Sequence, residues 1–259
     1  MRRYPAERII CLTEETVETL YLLGEQDRIV GVSGYAVRPP GVRKEKPRIS
    51  SFLSADIERI IALEPDLILA FSDIQGPIVA DLAKRGLPVY LFNQRDIAGI
   101  FAMIRTLGAL IDCTGKADAL ARTLETRLAG IAEQAKGRTT RPRVYFEEWD
   151  APMISAIGWV SELIEIAGGT DVFADLRAKA AASERVVTSE QVIERAPDVI
   201  LASWCGKKVK LDSFKTRAGW SAIPAVATGR IVEIKSPIIL QPGPAALTDG
   251  LDAILAALA

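Results

Sequence analysis

Ile57-Glu58-Arg59-Ile60-Ile61-Ala62-Leu63-Glu64-Pro65-Asp66-Leu67-Ile68-Leu69-Ala70 occurs a second time in the chain, as Ser189-Glu190-Gln191-Val192-Ile193-Glu194-Arg195-Ala196-Pro197-Asp198-Val199-Ile200-Leu201-Ala202. In each copy an amphipathic helical stretch stops ahead of Pro-Asp, because proline disfavours helix in the residue before it. A short run of branched aliphatics follows. Such continuous apolar runs suit strands of a parallel sheet covered on both faces.

The match extends outward from this core. Arg8-Ile9-Ile10-Cys11-Leu12, a strand candidate, is echoed by Arg143-Val144-Tyr145-Phe146, and each leads into a helix that ends near glycine, at Gly24 and at Gly168-Gly169. A left-handed helix cap calls for glycine there. Gly86-Leu87-Pro88-Val89-Tyr90-Leu91 is echoed by Gly229-Arg230-Ile231-Val232-Glu233-Ile234. A strand, helix, strand, helix, strand order thus occurs twice, and strands alternating with helices imply parallel sheets with right-handed crossovers. Between the copies, Lys116 to Lys136 carries Leu120, Leu124, Leu128 and Ile131 at helical spacing. The expected fold is α/β, with two Rossmann-like lobes (residues 1–114 and 138–259) bridged by one long helix (residues 115–137) and a ligand cleft between the lobes. A single helix lacks the flexible strands of a wide hinge, so small opening motions are expected.

Composition narrows the function. The chain has 259 residues, 49% hydrophobic and 25% charged, with 32 Lys+Arg against 33 Asp+Glu. That balance argues against nucleic-acid binding, which needs surplus cations. Histidine is absent, which removes Ser-His-Asp and Cys-His catalysis, His-ligated zinc and axial imidazole ligation of a corrin or haem. Neither a nucleotide-binding glycine fingerprint nor a phosphate loop occurs, and no segment reaches the ~20 apolar residues of a membrane helix. Cys11, Cys113 and Cys205 are odd in number and widely spaced, which is no disulfide framework. The N-terminus is charged and carries Pro5 without an apolar run behind it, so cytoplasmic residence is expected, or periplasmic if the true start lies upstream.

Ligands of open parallel sheets bind beyond the carboxyl ends of the strands, which points to the strand-to-helix loops. Only 6% of residues are aromatic, yet Tyr35, Phe71, Trp149 and Trp204 fall in those loops, where flat rings offer stacking area at little entropic cost. Trp159 and Trp220 read as packing residues. Arg38, Arg95, Lys207 and Lys208 add positive charge, and Asn93 and Asp96 flank Arg95 so as to orient its planar fork. Glu148 and Gln241 belong to the same set of loops. Together these groups suit an acidic or amide-rich ligand. Glu14-Glu15 and Glu147-Glu148 are possible acid–base pairs, although carboxylates are common at helix N-termini. Cys205 sits beside two lysines that would lower a thiol pKa, and a soft thiolate is also a metal ligand; a small buried apolar residue is the alternative.

Arg8-Ile9-Ile10-Cys11-Leu12, Leu22-Leu23-Gly24 and Asp27-Arg28-Ile29-Val30-Gly31-Val32-Ser33 are similar to the opening of class III periplasmic solute-binding proteins. Ile60 to Leu69 resembles their second-strand motif, and Gly219 to Val226 followed by Gly229-Arg230-Ile231 resembles their C-terminal signature. The resemblance implies non-catalytic binding of cobalamin or a ferric chelate, gripped by aromatic side chains from both lobes, with no cofactor of its own. The family's partner is an ABC permease, but the docking acids are not evident here, so docking does not follow; a monomer is expected. Three departures from the family are read: the N-terminal stretch does not read as a signal peptide, Arg38-Pro39-Pro40 stands where cobalamin binders often carry Tyr-Pro-Pro, and the acidic docking residues give way to Gln75-Gly76-Pro77 and Lys207-Lys208-Val209-Lys210. The alternative function is a cytosolic enzyme or carrier that processes tetrapyrroles or metal chelates with Cys205 or the glutamate pairs.

Overall fold

A computed structural model describes residues 4–259. The chain divides into two compact units, one comprising the chain up to Gln94 with Ala98–Thr123, the other Arg95–Ile97 with Leu124–Ala259. The division falls inside one uninterrupted helix, Thr114–Lys136. Its buried stripe is Ala117, Ala121, Leu124 and Leu128, so Leu120 and Ile131 flank that stripe and do not lie in it. The alanines reflect close helix packing. A Cβ added at Gly108 would lie 2.3 Å from the Cβ of Ala117.

The first unit holds five parallel strands: β1 (Ile9–Cys11), β2 (Ile29–Ser33), β3 (Arg48–Ser50), β4 (Leu67–Phe71) and β5 (Val89–Phe92), in the order β3-β2-β1-β4-β5. Every residue of β1 and β4 is buried, as their unbroken aliphatic runs require of central strands. Because the chain leaves β1 toward β2 and later returns to β4 on the other side, the carboxyl ends of β1 and β4 form the topological switch point.

The second unit repeats the plan in shortened form. Its parallel sheet contains β6 (Arg143–Glu147), β9 (Thr170–Asp171), β10 (Val199–Ala202) and β11 (Ile231–Glu233), in the order β11-β10-β6-β9. Between β6 and β9 a small antiparallel ribbon is inserted, β7 (Trp149–Asp150) against β8 (Met153–Ile154). Trp149 therefore sits on a ribbon where the sequence predicts an open loop.

The repeated Pro-Asp has a clear physical role. Asp66 accepts backbone N–H bonds from Glu7 (3.0 and 3.1 Å) and Arg8 (2.8 Å), while Asp198 accepts one from Arg143 at 2.8 Å. The same arginines reach back to cap the helices that precede β4 and β10. Arg8 donates to the Leu63 carbonyl at 2.6 Å, and Arg143 donates to the Arg195 carbonyl, satisfying carbonyls that a helix end leaves unpaired. The residues just before the prolines, Glu64 and Ala196, have φ of 48° and 39°. Both helices thus close through a left-handed residue, where the proline rule alone predicts an extended one. Gly24 and Gly168, with φ of 74° and 85°, are the left-handed caps expected of them.

Candidate functional site

In the second unit, β6 carries Glu147 and Glu148 at its carboxyl end, and the two acids have separate tasks. Glu147 is fully buried and accepts two bonds from Arg217 (2.5 and 2.9 Å), one from the Tyr145 hydroxyl (3.2 Å) and one from the Trp204 indole N–H (3.2 Å). Burial pushes its carboxyl above the usual carboxylate range, against the pull of the Arg217 guanidinium. Glu148 is held by Arg185 at 2.6 and 3.3 Å, and Arg185 is itself buried and also donates to the Ser155 carbonyl. Both acids are thereby committed to holding loops together.

Above this network lies an aromatic and cationic cluster. The Lys207 ammonium sits 4.1 Å from the Trp149 ring centroid and 4.8 Å from that of Trp204, within the range of attraction between a cation and a ring face. It also pairs with Asp150 at 2.6 Å. Gly206, with φ of 77°, makes the turn that returns Lys207 over Trp204. Trp149 is half-buried and donates its indole N–H to the Ala151 carbonyl at 3.0 Å. Trp204 corrects the sequence reading. Only 3% of it is exposed, and it stacks on Phe214 with ring centroids 6.2 Å apart, because an apolar ring directly after a buried strand gains more from the core than from water. The aromatic grip expected from both lobes also fails for this pair: Trp149 and Trp204 belong to one unit.

The other predicted residues are scattered more widely. Cys205 is exposed and in no disulfide, and Gln241 is half-buried, both in the second unit. Arg95 and Asp96 are assigned there too, next to Ile97, whose N–H donates to Glu162 at 2.7 Å. In the first unit Tyr35 is 54% exposed, Asn93 is exposed and Arg38 pairs with Glu18 at 2.9 Å. Phe71 is a second correction. It is the buried last residue of β4, and its N–H is held at 3.0 Å by the buried side chain of Gln75, which also donates to the Leu12 and Phe52 carbonyls. Two other exposed apolar residues of the first unit, Leu53 after β3 and Ile74 after β4, give no sequence signal because isolated aliphatics in a loop carry no period. Arg217 and Arg185 went unread because their partners lie 70 and 37 residues away in sequence.

Glu14 and Glu15 follow β1 at the switch point and open the helix Glu14–Leu22. Both are buried, and Oε2 of each has no hydrogen-bond partner. Loss of water pushes Glu14 up to about 8 and Glu15 to about 7, with the negative charge of Glu15 adding to the rise at Glu14. The Thr13 hydroxyl donates to Glu15 Oε1 at 2.6 Å, and the charge of Arg43 acts on Glu14 in the opposite sense.

A family model described as periplasmic binding protein matches residues 9–238. A cobalamin-binding protein of Halobacterium salinarum is 26% identical over 92% of this chain, which spans 66% of that relative's length. A vitamin B12-binding protein of Vibrio parahaemolyticus is 29% identical over 95% of this chain and 88% of its own. The solved periplasmic heme-binding protein of a Roseiflexus species superposes with a TM-score of 0.82 at 25% identity, covering 98% of this chain and 100% of the other. Two parallel α/β units, the repeated Pro-Asp locks and a family match across most of the length agree: the chain belongs to the periplasmic binding protein family.

Proposed function

We propose that this protein is a non-catalytic receptor for a bulky, flat, metal-containing cofactor, a corrinoid or a ferric chelate, serving as the substrate-binding component of an ABC importer. The observation that carries the reading is the Trp149 ring at the carboxyl edge of the second sheet, its face covered by the mobile-stemmed Lys207. A half-exposed ring of this kind offers stacking area to a flat ligand. The cobalamin-binding and heme-binding relatives support the ligand class. Binding is favoured over turnover because Glu147 and Glu148, the acid–base candidates of this unit, are already engaged by Arg217 and Arg185.

All four tryptophans lie in the second unit, so intrinsic fluorescence reads this unit alone. Titration of the whole chain with cyanocobalamin or hemin is expected to quench it saturably, with the ligand recovered unchanged. Trp149→Ala should weaken binding about tenfold, through lost stacking and lost area. Trp220→Ala removes a core ring that donates to Ser189 at 2.6 Å, so it should lower stability and leave affinity unchanged. Absence of saturable quenching with either ligand, or chemical conversion of the ligand, rejects the receptor reading.

A further inference from the structure

A cavity of about 280 Å³ opens at the carboxyl ends of β10 and β11, lined by Trp204, Gly206, Lys207, Lys208, Glu233 and Lys235 among others. Its cations outnumber its acids. Lys235 is paired with Glu233 at 2.7 Å, and Lys207 is paired with Asp150 on the neighbouring ribbon at 2.6 Å. Lys208 is exposed and makes no ion pair among the described residues. Three lysines against Glu233 and Asp150 leave one positive charge in excess at the rim, and the charge of Lys208 acts on Glu233 without closing an ion pair.

Lys207 has a double attachment. Its ammonium lies over the faces of Trp149 and Trp204 and also touches Asp150. A flat ring stacking on the Trp149 face that Lys207 covers would take the place of that ammonium, so binding there requires Lys207 to move. Its stem is flexible and its ion pair is exposed, so the move is easy. A neutral, amide-edged ring would displace Lys207 and offer it only an uncharged carbonyl acceptor. A ring bearing a carboxylate would replace Asp150 with a new charge-assisted partner for Lys207 and would also offer the exposed Lys208 a direct ion pair.

We propose that this cavity is an anion subsite that receives the carboxylate of a flat-ringed ligand between Lys207 and Lys208, while the ring itself takes the place of the Lys207 ammonium on Trp149. The subsite rests on the receptor reading for its cofactor, and it adds the chemical class: acid-edged rings are selected over amide-edged or esterified ones of the same shape.

Matched probe pairs test this. Cyanocobalamin is compared with its monocarboxylic acid, and hemin with its dimethyl ester, each titrated into the whole chain. The acid member of each pair should bind about tenfold more tightly, the range of one charge-assisted contact. In Lys207→Gln/Lys208→Gln that preference should fall to about onefold, while Lys215→Gln, outside the cavity, should retain it. Equal affinity for acid and neutral members in the wild type, or a preference that survives the double variant, overturns the subsite. If no member of either pair binds, the cofactor reading fails, and the subsite is judged by 1-naphthoate against 1-naphthamide. Saturable quenching by the naphthoate alone, lost in the double variant, sustains it; no naphthoate binding overturns it too.

Discussion

Glu14-Glu15 follow β1 and Glu147-Glu148 stand at the end of β6, the matching first strands of the two halves of the repeat, and the structure treats the two pairs in opposite ways. In the second unit each acid meets an arginine, Arg217 for Glu147 and Arg185 for Glu148. In the first unit the acids are as deeply buried, yet each keeps an oxygen without a donor. The difference teaches that an acidic pair after a strand has no fixed meaning. Its character is set by whether the fold delivers a guanidinium. Where one bonds to it directly, the carboxylate becomes structural; where Arg43 acts only through space, burial raises the proton affinity and leaves the pair poised near neutral pH.

The largest effect should come from breaking the satisfied side of this comparison. Arg217→Met leaves Glu147 buried without its counter-ion, which costs about 3–5 kcal/mol. Urea unfolding should show this as a lower midpoint at unchanged slope. Substituting Glu147→Gln in the same chain should restore part of the loss, since a neutral amide is cheaper to bury. No loss with Arg217→Met alone would mean that the pair is not what holds the end of β6.

An intermediate effect is expected from the unsatisfied side. The folded values of Glu14 and Glu15, about 8 and about 7, lie above the ordinary 4.5. Between those values the folded protein holds protons that the unfolded chain has released. The stabilising contribution is therefore complete below about pH 4.5 and is lost as pH rises through 7 and 8. The loss follows about 1.4 kcal/mol per pKa unit, and the repulsion shared by the two acids makes it smaller than the sum of the two shifts. Glu14→Gln/Glu15→Gln should flatten that slope and raise stability at alkaline pH. The same slope in wild type and double variant would show that other groups cause it.

The smallest effect compares the two Pro-Asp locks. Asp66 receives N–H bonds from two residues and Asp198 from one. Hydrogen bonds to a charged group contribute about 1.5–3 kcal/mol each, so Asp66→Ala should cost more than Asp198→Ala. Unfolding of the two single variants measures the difference. Equal losses would indicate that the locks stabilise through the strand geometry and not through the number of bonds.

The repeat was legible because its parts are local. Branched aliphatic runs, a proline that ends a helix and a glycine that caps one all act on neighbouring residues, and β1, β4, β6 and β10 stand where those signals put them. The shortness of β9 and the β7–β8 ribbon were not legible, because Trp149 to Ile154 is too brief to carry a period. Among the site residues, Trp149 and Lys207 meet, as do Glu148 and Arg185, but Trp204 and Phe71 pass into the core. A tryptophan or phenylalanine at the end of a strand has the same sequence signature whether it turns inward or outward.

What the sequence by itself determined is the doubled α/β plan, the exclusion of histidine chemistry and the set of loops that carry the polar and aromatic groups. These follow from composition and short-range steric rules. Only the tertiary structure decided which of the repeated acids are neutralised, which tryptophan remains at the surface and which lysine covers it. Those outcomes depend on side chains brought together across tens of residues, as Arg217 is to Glu147 and Lys207 to Trp149. In such contacts the balance between desolvation and pairing sets the energy, and that balance exists only after the chain has folded.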